Sequence, residues 1–480
     1  MTIPGVTIDQ GPMDWQVIQR DEKNVGRLIC RGAWATEEKD FSVQARLVDE
    51  RTNLPAAIHL DWQDARIDPG VSRFEITMIN IPAGGLYRIE TRIRRLRAKD
   101  PRPMRGDCIH HLAVGDIFII AGQSNASGTG KGAADDGPAL GVHLFANDEK
   151  WKLASHPLED ATSTRHPITV TGVFHGHSPW LAFGKRLLEK TGIPVGLIPC
   201  ALGGSGLPLW VTDDAKPGVL FENMMDMVAK SGGRVAGVLW IQGESDALCG
   251  QMDHYERRFR LFVSLLREKM GREDLPIFTG QVNRLVLDPF RSDPAAEADW
   301  PRDWTQLREI QRRLTHEMDR VYLAVTIDCP LSDQIHNNAV AGVMVGHRFA
   351  DLVLRHLHQR PLAAEFPEPS RVAFTDHSRR RIEVRFDHLS GDWTTGTGAD
   401  VFYLEDETGA VAIHGIEICP DNRIYIQLAC PAGPSPLLHA MYGLDPKVTL
   451  LDDAGRCLTP FSLPVKEHHS PVTGRPRHSM

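Results

Sequence analysis

Between Val114 and Leu357 the chain alternates two periodicities, and that alternation limits its folds more than any other feature. The apolar runs Ile117–Ala121, Val195–Leu202, Val235–Ile241, Pro276–Phe278 and Val321–Ile327 are rich in Val, Ile and Leu, as strands covered on both faces must be. Amphipathic stretches lie between or after them. Ser178 stands as an N-cap before Pro179, and the stripe Trp180, Phe183, Leu187 and Leu188 ends at Gly192. Tyr255–Met270 and Asp303–Met318 each carry an apolar stripe, the first closed by Gly271, and a last helix is expected from about Asn338 to His356. Strands alternating with helices in this order predict an α/β core with a doubly wound parallel sheet.

The flanks read differently. Before residue 110, short β segments (Gly26–Cys30, Phe41–Leu47, Ala56–Leu60, Phe74–Ile79, Tyr87–Ile93) are separated by turn signals such as Pro82-Ala83-Gly84-Gly85. After Arg360 the pattern returns to short strands from Arg371 to Leu451. The expected organisation is a β-sandwich-like module over 1–109, an α/β catalytic domain over 110–360, a C-terminal β module over 361–466 and a disordered tail over 467–480. From Thr129 to His177 no clear element is expected, and a connection of roughly 50 residues beside a strand end is often a binding loop.

Composition narrows the partners. The 54 Lys and Arg against 62 Asp and Glu give a net charge of −8, which disfavours nucleic acid as a partner because a phosphate backbone needs a basic face. No apolar run reaches the ~20 residues of a membrane-spanning helix, so no membrane partner is expected. The first residues carry no secretion signal. Eight cysteines, none in a Cys-x-x-Cys pair, read as buried free thiols in a reducing, cytoplasmic setting.

Ligands of open α/β sheets bind beyond the carboxyl ends of the strands. There the sequence places Gly122-Gln123-Ser124-Asn125, Gly203-Gly204-Ser205, Gln242-Gly243-Glu244-Ser245-Asp246, and Asp328 followed by Ser332-Asp333-Gln334-Ile335-His336. Ser124 can rise above the sheet on a tight turn and offer both a nucleophilic hydroxyl and its own N–H. Asp333 can reach Nδ1 of His336 three residues on, leaving Nε2 for the serine proton. Gly204 allows close backbone approach, and Gln242 carries a side-chain amide donor for an oxyanion. Glu244 and Asp246 are a structural acid pair, a brace, or a rival partner for the histidine. The loop histidines His143, His156, His166, His175 and His177 match no zinc spacing, so no metal or cofactor is expected. For Trp151, Trp180, Trp210 and Trp300, core burial is expected ahead of sugar stacking.

These strand-end motifs, with Trp240-Ile241 before Gln242, resemble those of the sialate O-acetylesterase family, carbohydrate acetylesterases of the SGNH hydrolase superfamily. Ser178-Pro179-Trp180, Gly192-Ile193-Pro194-Val195-Gly196-Leu197-Ile198, Val17-Ile18-Gln19-Arg20, Tyr442-Gly443 and Pro460-Phe461 are similar to further family segments. The resemblance implies an SGNH-type core, Ser124 as nucleophile, His336 as general base and then acid, and Asp333 as its orienting carboxylate. It implies an oxyanion hole of the Ser124 N–H, the Gly204 N–H and the Gln242 side chain, with an acetylated carbohydrate as substrate. Some relatives have been read with the acid of the Gln-Gly-Glu motif in the triad, so Glu244 stays a rival to Asp333. Two other readings stand beside this one: an SGNH esterase for short-chain non-sugar esters, and a catalytically silent glycan-binding protein.

Overall fold

The strand Met104–Gly122, here β1, organises the molecule because two sheets share it. Its first part pairs antiparallel with Gly84–Arg95, from Met104↔Ile93 to Val114↔Gly84. Its second part is the middle strand of a mostly parallel sheet. In the computed structural model, residues 4–97, 102–170, 176–288, 297–361, 365–395, 399–420 and 422–468 are described.

The other strands of the central sheet are β2 (Val142–Phe145), β3 (Trp151–Leu153), β4 (Val195–Pro199), β5 (Gly237–Ile241), β6 (Ile277–Gly280) and β7 (Val321–Ala324). Their order is β3-β2-β4-β1-β5-β6-β7, and only the edge strand β3 runs antiparallel. The chain builds one side of β1 and then crosses to build the other, so the strand order reverses at the carboxyl end of β1. Side chains of β1 alternate: Ile117, Ile119 and Ala121 enter one apolar cluster, Phe118 and Ile120 the other. The first cluster takes helices α3 (Val219–Ser231), α5 (Met252–Met270) and α6 (Trp300–Glu317); the second takes α2 (Pro179–Thr191) and α7 (Ala339–His356). Ser178 caps α2 by accepting the Trp180 N–H, and Asn338 caps α7 by accepting the Ala341 N–H at 2.8 Å.

Before the central sheet, the strands Gly5–Gln10, Val25–Ala35, Arg73–Pro82 and Arg66–Asp68 form an antiparallel sheet. It packs over Phe41–Asp49, Gly84–Arg95 and the start of β1 through Leu28, Val43, Leu47, Phe74, Met78 and Ile89. After α7, two four-stranded antiparallel sheets and a strand pair share a core of Val372, Ile382, Phe402, Ile424, Leu438 and Phe461, which also holds Val325 and Ile327 from the end of β7. Arg308 on α6 ties this region to the central sheet. Its guanidinium is fully buried without a carboxylate and donates to the carbonyls of Gly443 (2.7 Å), Asn283 (3.0 Å), Met441 (3.2 Å) and Val282 (3.3 Å). Burial pushes its pKa down to about 9.

The structure departs from the sequence expectations in several places. Residues 109 and 110, the expected module boundary, are consecutive residues of β1. Ala56–Leu60 is not a strand but ends in a 3-10 turn at Ile58–Leu60, with Ile58 98% exposed, so its apolar side chain faces water rather than a partner strand. The segment 129–177 contains β2 and β3, whose brevity hides them from any periodicity. Helix α3, with Leu220, Met224, Met227 and Val228 on its buried side, was not anticipated. All eight cysteines are free, but only Cys30, Cys200, Cys329 and Cys457 are buried; Cys108, Cys249 and Cys430 are exposed. The tail expected over 467–480 lies outside the described residues beyond His468. Among the described residues, no helix is long and apolar enough to cross a membrane.

Arg308→Met keeps the buried stem and removes the guanidinium donors from these carbonyls, of which that of Asn283 keeps the Trp304 Nε1–H at 2.7 Å. It is expected to cost about 3 kcal/mol of stability, read as a lowered midpoint in thermal unfolding.

Candidate active site

The carboxyl end of β1 is shaped by Gly122. Its φ is +122°, and a Cβ there would lie 2.0 Å from the carbonyl oxygen of Ile241 on β5. Only glycine permits this approach. The Gly122 carbonyl accepts the Leu202 N–H (3.1 Å) and the Ser205 hydroxyl (3.2 Å), while Gln123 N–H donates to Ile241 (2.9 Å). Three strand-end loops are thereby fixed to one another. Ser124 then opens the one-turn helix α1 (Ser124–Ser127), so its N–H has no acceptor within that helix.

Ser124 Oγ lies 2.9 Å from His336 Nε2, across 212 positions of sequence. The ring's Nδ1 meets Asp333 at 2.9 Å (Oδ2) and 3.1 Å (Oδ1). Asp333 Oδ1 also accepts the N–H groups of Ile335 (3.0 Å) and His336 (2.8 Å). Burial pushes the Asp333 carboxyl up, but the Ile335 N–H, the His336 ring and the His336 N–H outweigh it and hold the carboxyl below its ordinary range. Asp333 is therefore an ionised partner for the imidazole.

Glu244, the rival acid, makes no hydrogen bond to His336 among the described residues. It opens the short helix α4 (Glu244–Leu248), is 1% exposed, and accepts Asn125 Nδ2 at 2.8 Å. Burial raises its pKa despite the Asn125 bond, its own backbone N–H and the nearby His336. Its second oxygen has no partner. Burial thus works against the charged form of this carboxyl, which braces the loop through Asn125.

The bracing runs through Asn125, which the sequence reading passed over as a motif letter. Its Nδ2 donates to Glu244 and to the Ile335 carbonyl (3.2 Å), and its Oδ1 accepts the Asn337 N–H (3.0 Å). One amide thus joins the Ser124 turn to the loops of Glu244 and His336. Its position next to Ser124 is the signal that the sequence offers.

Gln242, expected as an oxyanion donor, has its amide bonded to other groups. The residue is fully buried, and its Nε2 donates to Asp246 Oδ2 and to the Ser205 carbonyl (3.2 Å), with Gln123 Oε1 at 3.4 Å. Both amide hydrogens are committed below the site. Asp246, whose pKa burial raises, also receives the Leu207 N–H at 3.1 Å. A cavity of about 750 Å³ is lined by Ser124, His336, Asp333, Gly203, Gly204, Glu244 and Gln123, among others, but not by Gln242. That volume is in the range of small-ligand sites.

Of the loop histidines, His156 and His177 meet on Asp136, with Nε2 atoms 3.1 and 3.4 Å from Oδ2. The donor set is that of a carboxylate clamp. Ser178 N–H donates to His156 Nδ1 (3.3 Å), which puts that ring's proton on Nε2, facing Asp136, and Lys185 occupies Oδ1 at 3.0 Å. Despite burial, the two histidines and Lys185 hold the Asp136 carboxyl well below its usual range. Trp151, Trp180 and Trp210 are buried in the core, Trp300 partly so, and none lines the cavity.

Residues 114–355, about half of the chain, match the family described as carbohydrate esterase, sialic acid-specific acetylesterase. This chain belongs to that family. A probable carbohydrate esterase of Arabidopsis thaliana is 30% identical over 183 residues, 34% of this chain and 66% of that protein. Among solved structures, a carbohydrate acetylesterase from Xanthomonas citri superposes with a TM-score of 0.63 at 19% identity, covering 94% of this chain and 98% of that one. The likeness of fold for this sialic acid-specific acetylesterase family member thus extends beyond residues 114–355, over 94% of the chain.

Two outcomes follow. Asp333→Asn is expected to lower kcat by a factor of about 10³ or more, while Glu244→Gln stays within about tenfold; steady-state kinetics on folded variants measure both. The second concerns Glu159, which lines the cavity and accepts Asn147 Nδ2 (3.2 Å). Burial raises its pKa to about 8 from 4.5, against the Asn147 bond and the Ala201 N–H. The folded protein keeps a proton that the unfolded chain loses, so this group's contribution to stability falls as pH rises from about 4.5 to about 8. Glu159→Gln is expected to flatten that decline in a series of melting curves.

Proposed function

We propose that the chain is a serine carbohydrate O-acetylesterase of SGNH type that removes acetyl groups from sugar hydroxyls through an acetyl-enzyme. The observation that carries this reading is the 2.9 Å approach of Ser124 Oγ to His336 Nε2, with Asp333 on the far side of the ring. In the first half-reaction His336 Nε2 takes the hydroxyl proton as Ser124 Oγ attacks the acetyl carbonyl. The tetrahedral oxyanion is met by the N–H groups of Ser124 and Gly204. The imidazolium, stabilised by Asp333, returns its proton to the departing sugar oxygen. Water then attacks the acetyl-serine with His336 again as base, releasing acetate. We assign the parallel sheet with its helices as the catalytic domain and the β regions on either side as modules that shape and brace it. The eight unpaired thiols support a reducing, cytoplasmic location.

Within this class, an uncharged sugar is favoured over a sialate. Among the described residues the cavity lining holds one cation, Lys131, already 3.8 Å from Asp333, and no arginine. A sialate carboxylate would have to compete with Asp333 for that ammonium.

Ser124→Ala is expected to abolish both acetate release and labelling by a serine-directed phosphonate. Acetate assays over acetylated xylan, O-acetylated sialic acid and an aryl acetate would rank the first above the second. Turnover of the aryl acetate alone would point to a non-sugar esterase. Unchanged turnover and labelling in Ser124→Ala would refute the serine reading.

A further inference from the structure

With the Gln242 amide spent on Asp246 and Ser205, the cavity lacks the side-chain oxyanion donor that the sequence led one to expect. A different glutamine stands in its place. Gln123 immediately precedes Ser124, is 3% exposed, and lines the same cavity. Its Oε1 accepts the backbone N–H groups of Gly243 and Ser245, each at 3.3 Å, with Gln242 Nε2 at 3.4 Å. Backbone N–H groups can only donate, so they fix which end of the amide is oxygen and which is nitrogen. The Nε2 group is then turned away from the 243–245 turn. Among the described residues it has no acceptor, yet it is not one of the fully enclosed polar atoms. Its open side is the cavity.

We propose that Gln123 Nε2 is the third donor of the oxyanion hole, acting beside the N–H groups of Ser124 and Gly204, and that Gln242 is a positioning residue beneath it. The proposal rests on the serine acetylesterase reading above. In the resting enzyme the amide N–H groups face solvent. As the acetyl carbonyl becomes tetrahedral, the oxygen gains charge and one of these N–H groups donates to it. Oε1 remains tied to the turn throughout, so the donor is oriented before the reaction begins, the condition under which such a group lowers a barrier. The chain of contacts also gives Gln242 and Asp246 a purpose: Asp246 holds the Gln242 amide, which helps hold Gln123 Oε1.

The test compares Gln123→Glu, Gln123→Met and Gln242→Leu with the native enzyme on an aryl acetate and on its thionoacetate analogue, in which sulfur replaces the carbonyl oxygen. Gln123→Glu keeps an acceptor for Gly243 and Ser245 and exchanges the donor for a carboxyl oxygen; Gln123→Met, which adds no charge, loses both donor and acceptor. Each is expected to lower kcat on the acetate about a hundredfold with KM little changed. The acetate-to-thionoacetate preference should shrink with it, because sulfur is a poor acceptor and profits little from the native donor. A merely structural role would lower both substrates in parallel. Gln242→Leu should reduce the melting temperature and shrink the preference less than Gln123→Met does, because Gly243 and Ser245 still hold Gln123 Oε1. Native kcat and preference in either folded Gln123 variant overturns the proposal, as does a preference lost in Gln242→Leu and kept in Gln123→Met. Ser124→Ala, run alongside, separates the two levels: if it retains turnover the serine reading fails, whereas a dead Ser124→Ala with fully active Gln123 variants refutes only the role of Gln123.

Discussion

The site depends on how closely β1 and β5 approach where β1 ends. Gly122 sits so near the Ile241 carbonyl that no side chain fits, and its own carbonyl gathers the Leu202 N–H and the Ser205 hydroxyl. The next residues, Gln123 to Asn125, emerge already fixed in direction. Asn125 then spans outward to the Glu244 loop and to Ile335 and Asn337 on either side of His336. The 2.9 Å contact between Ser124 and His336 is the consequence of that frame rather than its cause, since one partly buried hydroxyl–imidazole bond is worth only about 1 kcal/mol and could not by itself order three loops.

The flanking β regions serve the same frame from below and from the side. Because β1 belongs both to the N-terminal sandwich and to the central sheet, any displacement of its start would be passed along an unbroken strand toward Gly122. On the other side, the buried Arg308 guanidinium joins carbonyls of the β6 loop, Val282 and Asn283, to those of Met441 and Gly443. Asn283 in turn donates to Asn337 Oδ1 at 2.7 Å, next to His336. A charge placed in the interior without a counter-ion is costly, and its recompense is a fixed distance between the C-terminal region and the histidine loop.

How much of this could be read from the sequence divides along physical lines. The strands β1, β4, β5 and β7 and the helices α2, α5, α6 and α7 were legible because buried strands need unbroken apolar runs and helices need a 3.6-residue stripe. Ser124, Asp333 and His336 were legible because each follows a strand end where this fold places chemistry. Two short strands, β2 and β3, were not, since three or four residues hold no period. The continuity of β1 was hidden because its first half alternates and its second half is uniformly apolar, which reads as two elements. The bonding of Gln242 was hidden for another reason: a sequence displays an amide, but not which hydrogen-bond acceptors reach it first. Asp246, four residues on, took that amide, and nothing in the spacing reveals so.

The two carboxyls that spacing left as rivals are separated by solvent access. Both lie near His336, yet Glu244 is 1% exposed while the side chain of Asp333 is 33% exposed. An anion deprived of water must be repaid by donors. Glu244 receives the Asn125 amide and its own backbone N–H, with one oxygen unpartnered among the described residues, and burial raises its pKa. Asp333 receives two backbone N–H groups and the imidazole while keeping part of its hydration, and stays ionised. Only an ionised acid can gain energy when the histidine takes the serine proton, because the new positive charge then faces a negative one at 2.9 Å. A neutral carboxyl beside the same ring offers little Coulombic return. The local supply of water and N–H groups therefore favours Asp333 over Glu244 as the ionised neighbour of the ring, and the sealed carboxyl belongs to the scaffold that holds Asn125 in register.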